Sequence, residues 1–131
     1  MKNFTIQEYQ AQVDDVLVRH RSILDILTKL QESTAKVNRA VAKSATYCGC
    51  VKINVEKQAV PEDTSYSQLK NYMKEHIDGN LCDICREKVE AELSANIFYF
   101  TTLCNAFKID VGELITKHHE QLKTLGKYGL L

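Results

Sequence analysis

Apolar residues recur at Ile6, Tyr9, Val13, Val16, Ile23, Leu27 and Leu30 with alternating spacings of three and four, and His20 fills the remaining position of the series. That spacing brings every member onto one stripe of an α-helix. The register runs on through Thr34, Val37, Val41, Ser44 and Cys48. Thr34 and Ser44 weaken it, and ESTAK at Glu32 to Lys36 offers polar capping residues. The pattern predicts two helices joined near residues 32–35, or one long helix bent there. After Cys50 the segment VKINVEKQAVPED loses the helical period and contains the only proline, Pro61, so residues 51–64 read as a loop.

Further on, Ser65 with Gln68 three residues later resembles a capping box. Tyr66, Leu69, Met73, His76 and Ile77 follow, with Gly79 as a stop, which predicts a helix of about three turns. Arg86, Val89, Leu93, Ile97, Phe100, Cys104 and Phe107 mark a long helix from Asp83 to about Lys108. Asp110 and Glu113 form the capping box of a last helix, whose stripe is Val111, Leu114, Ile115, His118, Leu122 and Leu125 before Gly126. No strand, repeat or low-complexity segment is expected. The predicted fold class is all-α: a single domain over residues 1–131, built as a bundle of about five helices with long antiparallel members.

Charge narrows the partners. Lys+Arg and Asp+Glu both number 17, so no net field gathers a nucleic-acid backbone or an anionic membrane. The opening MKNFTIQEYQ has no apolar signal core, and no apolar run approaches the roughly 20 residues that span a bilayer. The expectation is a cytoplasmic protein that binds neither nucleic acid nor membrane. Its first-helix seam, eight positions over 25 residues, would be about 37 Å long. A stripe that long exceeds what a small domain covers, so a homodimer or higher homo-oligomer is expected.

The chemistry lies in the cysteines. CGC at Cys48 and Cys50 is answered 31 residues later by CDIC at Cys82 and Cys85. Close pairs of thiolates let one turn of backbone supply two ligands to one ion, and four thiolates about 2.3 Å from zinc complete its tetrahedron. Cys82 and Cys85 fall at a predicted helix N-terminus, where free N–H groups favour the thiolate. Lys52, Arg86 and Lys88 lie near enough in sequence to offset a tetrathiolate's negative charge. A structural zinc on Cys48, Cys50, Cys82 and Cys85 is the first reading. Metal-free buried thiols, a redox pair at Cys82 and Cys85, and an iron–sulfur cluster are the alternatives. With four protein ligands the ion keeps no open position, so the zinc would be structural and would clip the loop-rich connection. Cys104 sits on a predicted core stripe.

Three stretches, FTIQEYQAQV, AELSANIFYFTTLCNAFKIDVGEL and KHHEQLKTLGKYG, resemble the MazG-like all-α nucleoside triphosphate pyrophosphohydrolases. The resemblance implies a helical fold in which an E-x-x-E pair on one helix and an E-x-x-D pair on a later one hold magnesium over a nucleotide triphosphate. Aligning ELSANIFYF on the second motif carries over Glu92, while the aspartate position is Ala95, with Asn96 beside it. The helix that corresponds to the first motif, VNRAVAKSATYC, has no carboxylate, and Lys43 and Ser44 stand where the family has acids.

Two functional readings follow from the resemblance. One is a non-catalytic, zinc-clipped binding or assembly module, with Lys43 as a candidate contact for a nucleotide phosphate. The alternative is a divergent hydrolase in which Glu87, Glu90, Glu92 and Asn96 rebuild a magnesium site. A thiol sensor that releases zinc on oxidation is a third reading. His20 is expected in a core or interface seam, His118 partly buried, His119 exposed, and Tyr47, Phe98 and Tyr99 in the core.

Overall fold

The computed structural model describes residues 3–126. The ends of the 1–131 domain, including the last residues of KHHEQLKTLGKYG, lie outside them. Four α-helices carry the fold: α1 (Ile6–Val16), α2 (Ile23–Lys43), α3 (Asp83–Ala106) and α4 (Val111–Leu125). Between α2 and α3 come a π-helical turn (Ser44–Cys48), strand β1 (Val51–Ile53), a 3₁₀ turn (Tyr66–Asn71) and strand β2 (Ile77–Gly79). The protein is mostly helical, as the periodicity predicts.

The first break falls elsewhere than expected. Residues 32–35 lie inside an uninterrupted α2, and the chain leaves helix at Leu17 to Ser22 instead. Arg21 explains this break: its guanidinium donates to the carbonyls of Leu17 at 2.6 Å and Asp14 at 3.2 Å, closing the C-terminus of α1, and pairs with the Asp14 carboxylate at 2.7 Å. Ser22 then caps α2, its Oγ accepting from the Leu24 N–H. Ser33 and Thr34 do not cap. Their hydroxyls donate back to the Leu30 carbonyl, a bond that lets such residues sit within a helix. His20, expected in a helical seam, lies in this break with its Nδ1 3.7 Å from Asp25.

Helices α2 and α3 pack antiparallel along most of their length. Ile26 shares a small cavity with Thr102 and Ala106, Ser33 meets Asn96, and Cys48 meets Cys82, so positions rise on one helix as they fall on the other. The buried apolar side chains among the described residues are Val13, Ile26, Val51, Val89, Cys104 and Val111. Cys104 is core, as its stripe predicts. Burying such side chains contributes about 1.5–3 kcal/mol each. At the other end, Gln10 ties α1 to the start of α4. Its amide nitrogen donates to Asn105 Oδ1 at 3.0 Å and the Ile109 carbonyl at 2.8 Å, while its oxygen accepts from the Val111 N–H at 2.8 Å. Asp110 caps α4 through the Glu113 N–H, as predicted.

The connection from residue 51 to 81 corrects two expectations. Val51 pairs with Gly79, Lys52 with Asp78 and Ile53 with Ile77 in an antiparallel two-stranded ribbon, where no strand was expected. The predicted three-turn helix is a single stretch of 3₁₀ turn over Tyr66–Asn71, because the chain must turn back into β2. Between the strands the Gln58 side chain brackets Lys74, donating to its carbonyl and accepting from its N–H, both at 2.9 Å. Lys74 also pairs with Glu56 at 3.0 Å.

Candidate metal centre

Each cysteine pair is delivered by a distinct local device. The α2 helix widens into the π-helical turn at Ser44, a buried residue whose hydroxyl donates to the Val41 carbonyl at 2.6 Å. Gly49 ends the turn in the left-handed region, φ 83°, with its N–H on the Ser44 carbonyl. A β-carbon there would be strained, and the reversal throws Cys48 and Cys50 toward the same side. The Cys50 thiol packs 3.7 Å from that same Ser44 carbonyl.

The second pair is held by the ribbon and by α3. Register Val51 to Gly79 sets Cys50 against the residues just before Cys82. Gly79 is required: its φ is 90°, and a β-carbon on it would come within 2.6 Å of the Cys50 carbonyl oxygen. Cys82 is the N-cap of α3, its Sγ accepting from the Cys85 N–H at 3.4 Å.

The four thiols converge. All four Sγ atoms lie within 4.8 Å of one another. Cys48 Sγ stands 3.8 Å from Cys82 Sγ, far beyond a disulfide's ~2.05 Å. It matches the ~3.8 Å edge of a tetrahedron whose centre is about 2.3 Å from each corner. Cys48 is exposed and the other three are half-buried, so an ion could enter from the Cys48 side. The N–H of Cys85 holds the Cys82 thiol down to about 7, whereas burial and the neighbouring thiols push Cys85 up to about 12. One thiolate forms readily and discourages the next. A divalent cation would relieve that mutual repulsion, and a soft, closed set of four thiols suits zinc. Lys52, Arg86 and Lys88, each within three residues of one of these cysteines in sequence, are exposed.

The other expected site residues are not gathered. Glu87 and Glu90 are exposed on α3 and Glu92 is half-buried. Among the described residues the cysteine cluster is the one group of three or more His, Cys, Asp or Glu side chains whose donor atoms converge. Asn96 turns to α2, its amide donating to Ser33 Oγ at 3.0 Å and Thr34 Oγ1 at 2.9 Å. Lys43 lies over the Tyr47 ring, 6.0 Å from its centroid. Tyr47 is 88% exposed, contrary to the core position expected of it. Phe98 and Tyr99 are half-buried and meet edge to face. His119 is exposed as expected, but so is His118, because only the first turn of α4 is covered. Sequence reasoning did not foresee the roles of Ser44, Gly49 and Gly79 in shaping the centre. The C-G-C glycine was the one visible signal.

Compared with family models, with curated proteins and with solved structures, the chain matches none. No described helix is long and apolar enough to cross a membrane.

Proposed function

We propose that the chain is a MazG-like helical module whose interhelical connection is clipped by one structural zinc, and that it works by binding or assembly rather than by cleaving phosphate bonds. The observation that carries the metal reading is the convergence of four Sγ atoms within 4.8 Å, supplied by a π-helical turn, a strand pair and a helix N-terminus. Four thiolates leave zinc no position for water, so the ion holds the ends of α2 and α3 together and anchors the 51–81 connection. The kinship with MazG-like proteins rests on the three stretches quoted above and on the long antiparallel α2–α3 pair.

The position of the polar residues supports the non-catalytic part of this reading. Pyrophosphohydrolysis with magnesium needs several carboxylates around one ion. Here the face where α2 meets α3 carries Ser33, Thr34 and Asn96, which satisfy one another, and Ala95 stands at the family's aspartate position. Lys43 would attract a phosphate and repel magnesium, so weak nucleotide binding is compatible with absent turnover.

Two measurements test the proposal. Elemental analysis of the chelator-washed protein is expected to give one zinc per chain; none would overturn the metal reading. A magnesium and manganese assay over a panel of nucleoside triphosphates is expected to show no turnover. Hydrolysis at about 1 per second, abolished by Glu92→Ala, would establish the divergent hydrolase instead.

A further inference from the structure

The four thiols of the centre are not equally placed. Cys48 is exposed, whereas Cys50, Cys82 and Cys85 are half-buried. Its neighbours in the chain leave it so: Tyr47 stands in water, and a β-carbon on Gly49 would meet nothing within 4 Å. An oxidant arriving from solvent therefore meets the Cys48 sulfur first, and exposure is one of the two properties that make a thiol oxidisable. The other is thiolate character, which service as a metal ligand supplies.

A partner for Cys48 is already in place. Its Sγ stands 3.8 Å from Cys82 Sγ, and a disulfide is about 2.05 Å long, so the two sulfurs must close by roughly 1.8 Å. The open space around Gly49, which ends the π-helical turn, lets Cys48 make that movement. The remaining thiols are engaged differently. Cys50 Sγ packs 3.7 Å from the Ser44 carbonyl, and Cys85 is fixed within the first turn of α3. Its N–H points at Cys82 Sγ, 3.4 Å away, and with the helix N-terminus favours negative charge on that sulfur. Cys82 is thus placed to attack, and Cys48 to be oxidised and attacked.

We infer that Cys48 and Cys82 are a site of reversible oxidation, joining in a disulfide when a peroxide reaches Cys48 and releasing the zinc as they do so. The inference rests on the structural-zinc reading above. The Cys48 thiolate attacks one oxygen of hydrogen peroxide, the O–O bond breaks, and hydroxide leaves, giving a sulfenic acid. The Cys82 thiolate then attacks the Cys48 sulfur, the S–O bond breaks, and a second hydroxide leaves as the S–S bond forms. The two thiolates have lost two electrons and the peroxide has gained them. Cys50 and Cys85 remain as two ligands where zinc takes four. The new bond still ties the end of α2 to the start of α3, so oxidation exchanges one closure of the 51–81 connection for another and frees the ion. A dithiol reverses the change by thiol–disulfide exchange, itself becoming a disulfide.

The test uses the full chain, reduced and loaded with zinc. Hydrogen peroxide is added at one equivalent per chain, zinc is followed with a colorimetric chelator, and the disulfide is mapped by peptide mass spectrometry. Expected are release of the zinc, loss of two of the five thiols, a linked Cys48–Cys82 peptide pair, and recovery of zinc binding on treatment with a dithiol. Cys104→Ala is expected to change none of this, since Cys104 is buried in the core. Cys48→Ser is expected to slow release at least tenfold; should that variant fail to hold zinc, the map of the wild-type chain decides. Zinc retained after oxidation, a Cys48–Cys50 or Cys82–Cys85 disulfide, or sulfinic acid without a disulfide overturns the inference and leaves the structural zinc standing. A reduced chain that holds no zinc overturns the zinc reading instead, and the same map, made on the metal-free chain, then decides the pairing.

Discussion

The side-chain amide of Asn96 reaches across from α3 to the Ser33 hydroxyl of α2 at 3.0 Å, and to Thr34 at 2.9 Å. Both hydroxyls already donate to the Leu30 carbonyl, so each is free to accept, and one amide meets two acceptors in the middle of the longest helix pair. Asn96→Ala removes these bonds and leaves hydroxyl lone pairs facing a gap. It is expected to destabilise by about 1–2 kcal/mol in urea unfolding. An unchanged midpoint would show that water replaces the amide without loss.

Gln10 has the more enclosed network. Truncation to Ala leaves the Val111 N–H without its acceptor and Asn105 and Ile109 without their donor. A loss of about 2–4 kcal/mol is expected, since the buried Val111 N–H and two part-buried acceptors are orphaned at once. Hydrogen exchange of α4 amides would rise first, because Gln10 holds the start of that helix.

The clip and the long helices are separable. Cys82→Ser is expected to abolish zinc binding and to raise amide exchange across residues 51–81, while the amides in the middle of α2 and α3 remain protected. Equal protection of the connection with and without zinc would mean that the ribbon and the Gln58–Lys74 bracket suffice alone.

Gly79→Ala tests the geometry beneath the four thiols. Both its φ of 90° and the 2.6 Å approach to the Cys50 carbonyl oppose a β-carbon, and no flexible side chain can yield there. The expected result is a tenfold or greater loss of zinc affinity. Gly49→Ala should be milder, since open space surrounds that position and only its φ of 83° resists.

Zinc affinity should also fall with pH in a defined way. The Cys82 thiol of the metal-free protein is held near 7, below its ordinary 9.0, by the Cys85 N–H. A depressed pKa means that the thiolate is present above about 7 and is lost as pH falls through it. Zinc must then expel one more proton, so the number released per ion should grow by about one between pH 8 and pH 6. Chelator competition across that range measures the slope; a constant slope would show that Cys82 does not titrate there.

Much of this protein is local in origin and therefore legible in the sequence. The start of α3 at Asp83, its end near Lys108 and the Asp110 cap of α4 depend on side chains within a few residues of the backbone they satisfy. The cysteine spacings are equally local within each pair: C-G-C needs a reversal at its glycine, and C-D-I-C needs a helix N-terminus.

What the sequence alone could not decide depended on distant partners. ESTAK reads as a helix boundary because Ser and Thr commonly cap; here both hydroxyls bond back to the Leu30 carbonyl within α2 and accept from Asn96, more than 60 residues away. Ile53 and Ile77 resemble members of irregular or helical segments until they pair with each other across the ribbon. The regular spacing from Ile6 to Leu30 survives a break that Arg21 closes, because periodicity records which residues are apolar and not whether the backbone between them is hydrogen-bonded. The chain itself determined that four thiols existed in two close pairs. Only the antiparallel packing of α2 on α3, with Gly79 letting the ribbon close, decided that the pairs would meet at one point, since bringing together residues 34 apart requires contacts that no local stretch contains.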